Sequence, residues 1–196
     1  VDNVSTSLAS LGLDVDEDST VSSLTVAHTT PVSIASGKTL SGAITVTAGS
    51  IKLDEAGTLG STVSMSGGTL DADESSTVSG ALSHTANITI DVASGKTLTY
   101  SGTAISLGAY TLTLTGGGNL VSGGLTLNDA SSKLLLNSIT VDSVSTSADN
   151  SGLDVDDDST LSSLTVAHTT PVSIASGKTL SGAVTVTAGS VKLGEA

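Results

Sequence analysis

The sequence predicts an all-β chain folded as a parallel β-solenoid, a β-helix with rungs of about 20 residues. Three observations predict it. A marker dipeptide recurs every 19 to 22 residues, two short in–out alternations lie between successive markers, and the whole pattern repeats after 140 residues. The marker is Thr followed by Leu or Val, at Thr20, Thr39, Thr58, Thr77, Thr97, Thr140, Thr160 and Thr179, with Asn119 in the remaining place. From Thr20 to Thr160, seven marker intervals fill one 140-residue unit. Residues 1–56 match 141–196 at all but ten positions, and Ser22–Leu40 returns unchanged as Ser162–Leu180. Residues 1–196 therefore read as one continuous solenoid, in which 1–140 is a seven-rung unit and 141–196 begins the next.

Each rung opens with the marker and then an alternating run. Its leading aliphatic residue is Leu24, Ile44, Val63, Leu82, Ile105, Leu125, Val144, Leu164 or Val184, and a hydroxyl residue follows in every rung, from Thr25 to Thr185. A second residue, mostly apolar, comes next, such as Val26, Val46, Met65, Leu107 or Leu127. Side chains alternate across a strand, so this is a half-buried strand with its hydroxyls outward. The later run carries inward pairs: Val32/Ile34, Ile51/Leu53, Leu70/Ala72, Ile90/Val92, Leu112/Leu114 and Leu153/Val155. The residue between the pair stands six positions before the next marker in every rung but the one holding Leu135. That constancy predicts a fixed turn, with Gly37, Gly57, Gly95 and Gly117 supplying positive φ. No 3.6-residue stripe with caps marks a helix. One rung cannot bury its apolar side alone, whereas stacked rungs share a continuous core.

Composition narrows the partners. Val, Ile, Leu and Thr favour strands, and with no Phe, Trp or Cys and two Tyr the core must be thin and aliphatic. The net charge is −13 and every basic residue is Lys. Without Arg, phosphate forks and base-edge readout lack their usual residue, which argues against nucleic acid. No apolar run reaches the roughly 18 residues of a membrane helix, so no membrane insertion is expected of this segment. Opening inside a repeat without Met or leader, the sequence is expected to be an excerpt of a longer array.

The stretches VSIASGKTLSGAITVTAGSIKLDEAGTLG and ITIDVASGKTLTYSG resemble the repetitive passenger regions of large bacterial surface proteins, the autotransporter and filamentous-haemagglutinin-like adhesins. The likeness covers the whole chain and rests on repeat style. It implies an extracellular or cell-surface β-helical stalk or fibre serving adhesion or matrix building.

Acidic turns are the candidate sites. Asp14, Asp16, Glu17 and Asp18 recur as Asp154, Asp156, Asp157 and Asp158. Alternating Asp resembles a calcium loop, but Thr25 stands where the closing Glu of an EF-hand belongs. Aligned rungs place Asp54 on Asp73, Glu55 on Glu74 and Asp71 beside Asp91, so Asp54, Glu55, Asp71, Asp73 and Glu74 are the calcium candidates. Like charges one rung apart repel unless a cation or salt relieves them. The plainer reading is a solvated acidic edge that keeps the fibre soluble. Lys52 is expected beside Asp71, and Lys38 and Lys178 diagonal to Asp18 and Asp158.

Other chemistry finds little support. No cofactor is called for beyond calcium. A carboxylate pair could cleave polysaccharide, but the only aromatic platform is Tyr100 and Tyr110, and near-exact duplication suits a structural array. Ser is too common for a triad to be inferred without geometry. His28 and His168 read as turn residues before Pro31 and Pro171, and His84 as an irregularity in a core column. The hydroxyl file invites ice or glycan binding, yet its neighbour file (Ala27, Thr47, Ser66, Thr85, Gly108, Asn128) is irregular. The function expected is therefore structural: a segment of a long extracellular fibre or adhesin stalk that self-associates end to end and side by side. A calcium-dependent module binding glycans or another cell surface is the alternative. A polysaccharide-acting enzyme or an ice-binding protein ranks below both.

Overall fold

The computed structural model describes residues 3–6, 12–27, 32–149, 151–169 and 171–193. They contain no helix and form a β-solenoid of about nine turns with rungs about 20 residues apart. A complete coil holds three strand segments, as in Thr58–Leu59, Val63–Met65 and Thr69–Ala72. The marker segment and the one after it belong to a 14-stranded sheet, and the third to a 10-stranded sheet. In several coils the first two segments fuse into one strand, as in Ser19–Val26, Thr39–Val46 and Ser159–Val166. We number the coils 1 to 10 by residues 3–15, 19–34, 39–53, 58–72, 76–92, 97–115, 119–136, 140–155, 159–174 and 180–193.

Neighbouring coils pair in parallel, and the pairing follows from the apolar pattern. Leu24 pairs Ile44, Ile44 pairs Val63 and Val63 pairs Leu82, while Leu125 pairs Val144 and Val144 pairs Leu164. On the other sheet Ile51 pairs Leu70, Leu70 pairs Ile90 and Ile90 pairs Leu114. All twelve residues named above as inward pairs are buried, as is Leu, Val or Ile after every marker up to Thr160. Between the sheets lies an aliphatic core in which each fully buried Leu, Ile or Val contributes about 1.5–3 kcal/mol. The rung with Leu135 resolves its three consecutive leucines simply: Leu134 and Leu136 are buried, and Leu135 faces out between Thr113 and Asp154. Coil 10 is covered on one side only, which leaves Val184 at 46% exposure although its position is inward in the earlier coils.

The stacking departs from the marker spacing in three places. Thr39 pairs Thr58 and Thr58 pairs Thr77, as the intervals predict. Thr20, however, pairs Ser41, Thr77 pairs Thr99, and Thr160 pairs Ser181, each two residues beyond the next marker. A shift of two preserves which side chains face in, so the core tolerates it. At the first and last of these the extra length is taken up by a bulge, between Thr20 and Ser23 and between Thr160 and Ser163. Gly42 and Gly182 stand opposite these bulges, where a Cβ would lie 1.9 Å from Val21 O and 1.8 Å from Leu161 O.

The fixed turn is real, but one of its glycines has a different role. Gly37, Gly95 and Gly117 adopt φ of 67°, 75° and 80°. In the turn between coils 3 and 4 the left-handed residue is Ala56 (φ 44°), not Gly57. Gly57 is needed because a Cβ there would approach Ile34 Cγ2 and O to 2.9 Å.

Candidate functional site

The acidic corner is the densest chemical feature, and lysines thread through it. Asp71 sits in register between Lys52 and Asp91. Lys52 Nζ lies 3.1 Å from Asp54 Oδ1 and also bonds Asp73 Oδ2, so one ammonium bridges two carboxylates from adjacent coils. Those bonds raise the Lys52 pKa, with Asp73 first and Asp54 second. Lys96 bonds Glu74, and Glu55 accepts the Ser36 amide at 3.3 Å. Four of the five calcium candidates, Asp54, Glu55, Asp73 and Glu74, thus have a protein partner. The cation that relieves like charge here is a lysine. Asp71 is the exception: burial first, then Asp73 and Asp91, pushes its carboxyl above the usual range. Asp14, Asp16, Asp54 and Glu55 line a groove of about 210 Å³ with Ser33 and Ala35. Among the described residues no three His, Asp or Glu side chains are grouped to hold a metal ion.

A second set of acidic residues works on the backbone. Lys38 pairs with Glu17 and Lys178 with Asp157 (2.7 Å), not with Asp18 and Asp158 as the sequence suggested. Asp18 and Asp158 are engaged by backbone amides instead. Asp18 accepts the Thr39 amide at 2.9 Å and Asp158 the Thr179 amide at 2.8 Å. At the remaining slip Ser75 Oγ accepts the Thr97 amide at 3.1 Å. In the unslipped coil 4 the equivalent Thr58 amide donates to a backbone oxygen, that of Lys38. All three slips therefore carry a side-chain oxygen in place of the displaced carbonyl. The sequence singles out Asp18 and Asp158 as acidic-turn residues but not for this role, and does not single out Ser75. The signal was present: Asp-Ser stands immediately before the marker at Thr20 and Thr160, and its carboxylate reaches the marker amide of the next coil.

The hydroxyl file forms as predicted. Ser5, Thr25, Thr45, Ser64 and Ser83 are in successive register, and so are Ser106, Thr126, Ser145, Thr165 and Thr185. Ser64 and Ser83 hydroxyls are 3.3 Å apart, and those of Thr126 and Ser145 3.4 Å apart. The file breaks between Ser83 and Ser106, where the two strands do not pair.

The histidines are dispersed. His84 is in register with Met65 but only partly buried; its Nδ1 is 3.1 Å from Ala86 O and its ring meets Tyr110 edge-on at 5.8 Å. His168 Nδ1 lies 3.4 Å from Asp149, in the turn before Pro171. His28 and Pro31 lie outside the described residues. Tyr100 is buried in the core, whereas Tyr110 is half-buried in the turn before Thr111 with its ring edge-on to His84. The chain matches no family model, no curated protein and no solved structure.

Proposed function

We propose that this chain is a structural segment of a long repetitive extracellular fibre or adhesin stalk. The observation that carries the reading is the seam between repeat units. Lys133–Leu136, the last strand of one unit, pairs residue for residue with Gly152–Val155, the first of the next on that sheet. The marker sheet also crosses the seam, through Asn119 to Thr140 and Leu125 to Val144. A unit therefore adds to a unit by the same ladders that join coils within it, which is what open-ended growth of a rod requires. Repeat number sets reach, the aliphatic core and ladders give stiffness, and the net charge of −13 opposes precipitation of so regular a surface. The cell-surface location rests on the likeness in repeat style.

Electron microscopy of the natural material tests this reading. Seven coils at about 4.8 Å each give an axial repeat of about 33 Å along thin filaments. Globular particles without that repeat count against it.

A further inference from the structure

We propose that the junction between coils 5 and 6 is a built-in joint, the place where the solenoid opens first, with Tyr100 as its latch. Leu82–His84 pairs with Val63–Met65 on one side, and Ile105–Ser106 pairs with Leu125 and Thr126 on the other. The two strands do not pair with each other, and no other junction between complete coils among the described residues lacks a ladder. The cause is in the sequence. Eight positions separate Thr97 from Ile105, against five from Thr58 to Val63 and five from Thr77 to Leu82. The same junction carries the two-residue slip at Thr77 and Thr99.

Tyr100 fills the gap. In regular coils the leading amide of this strand reaches the next coil: Ile44 donates to Thr62 O at 3.0 Å and Val63 to Ala81 O at 2.8 Å. Leu82 donates instead to Tyr100 Oη, at 3.1 Å. The Tyr100 side chain is buried at 5% exposure, so its hydroxyl stands in for a missing backbone carbonyl where an orphaned amide would be costly. Gly102 makes room, since a Cβ there would sit 2.2 Å from Oη. The ladders that still tie coil 5 to coil 6 are Ser76–Val78 on Leu98–Tyr100 and Ile88–Asp91 on coil 6, helped by side-chain contacts such as the Thr111 amide on Asn87 Oδ1 (2.8 Å) and His84 on Tyr110.

In a solenoid, stability is close to a sum of nearest-neighbour interfaces. The interface that has lost one of three ladders opens at the lowest free energy, as local unfolding follows local bonding. Opening here separates coils 1–5 from coils 6–10 and leaves each block's hydroxyl file whole. The inference stands on this geometry and is independent of the fibre reading.

Hydrogen exchange by NMR on the full chain, at low and rising denaturant, tests it. The Ser101 amide donates across the joint to Val78 O at 2.9 Å. Ser79 to Leu59 O (2.9 Å) and Gly60 to Leu40 O (2.9 Å) are the equivalent bonds across ordinary junctions. Ser101 is expected to exchange at least tenfold faster than both; equal rates overturn the joint. In Tyr100→Phe, which keeps the ring and removes the acceptor, the Leu82 amide is expected to exchange a further tenfold faster while Val63 is unchanged. A folded variant with unaltered Leu82 exchange overturns the latch. Should the variant fail to fold, the wild-type comparison of Ser101 with Ser79 and Gly60 decides.

Discussion

The Thr39 amide donates to the Asp18 carboxylate at 2.9 Å, and 140 residues later the Thr179 amide donates to Asp158 at 2.8 Å. Each bond sits at a two-residue slip in the marker ladder, where the amide has lost its carbonyl from the preceding coil. Replacing Asp18 by Ala orphans the Thr39 amide, at a cost of about 1 kcal/mol. Asp18→Asn keeps an acceptor oxygen and stays within about 0.5 kcal/mol of wild type. Asp18→Ala and Asp158→Ala lie in the turns just before coils 2 and 9 and should be additive. Denaturant midpoints measure all three, and an unchanged midpoint for Asp18→Ala removes the capping role.

Acid should act differently on three carboxylates. The Thr169 amide and hydroxyl hold Asp149 below its ordinary value, and the Lys178 ammonium, then the Asp158 amide, do the same for Asp157. A depressed folded-state value contributes stability that is present above the unfolded value of about 4 and lost as pH falls through the folded one. Asp157→Asn is therefore less stable than wild type at pH 7, and the difference closes as pH falls through the depressed folded-state value. Melting of both proteins at pH 7 and through an acid series measures it.

Asp71 has the opposite sign. Its raised value means that the folded state resists the charged form, so stability falls as pH rises through that value. Asp71→Asn should raise the stability at pH 7 by about 0.5 kcal/mol, the scale of like charges facing across strands, read as a higher denaturant midpoint. The gain should vanish under acid, where Asp71 is protonated in both states. A loss at pH 7 would show that the Lys52 attraction outweighs burial.

The leucine run of coil 7 gives a direct test of facing. Leu134 is fully buried, and Leu135 points outward beside Asp154. Leu134→Ala should cost about 2–5 kcal/mol, and Leu135→Ser less than about 1 kcal/mol. Similar costs would mean the register is shifted by one.

Two left-handed glycines should separate cleanly. Gly37 (φ 67°) has open space around a notional Cβ, and its replacement by Ala costs about 1 kcal/mol through backbone strain alone. At Gly42 (φ 118°) the same Cβ would overlap Val21 O, so Gly42→Ala should cost at least about 2 kcal/mol more, or prevent folding. Equal midpoints for the two variants would remove the close approach at the bulge.

The sequence discloses which side chains face in, because alternation and rung length are written in every coil. Val32/Ile34, Ile90/Val92 and the hydroxyl file fall where the period of two puts them. It does not disclose the slips. A period of two is blind to a shift of two, so Thr20 opposite Ser41 looks no different from Thr20 opposite Thr39. Lys52 stands beside Asp71 as the alignment of rungs predicts, but the partners of Lys38 and Lys178 differ: where the ladder slips, Asp18 bonds the backbone and Glu17 meets Lys38. The long interval from Thr97 to Ile105 signals irregularity, but nothing in the sequence says that Tyr100 bonds Leu82.

Small-angle scattering from chains lengthened by whole 140-residue units tests the central claim most directly. Open-ended stacking predicts a constant cross-section and a maximum dimension that grows by about 33 Å with each unit, seven coils at the parallel-strand spacing. Growth of the cross-section, or a dimension that rises as a compact globule's does, would contradict it.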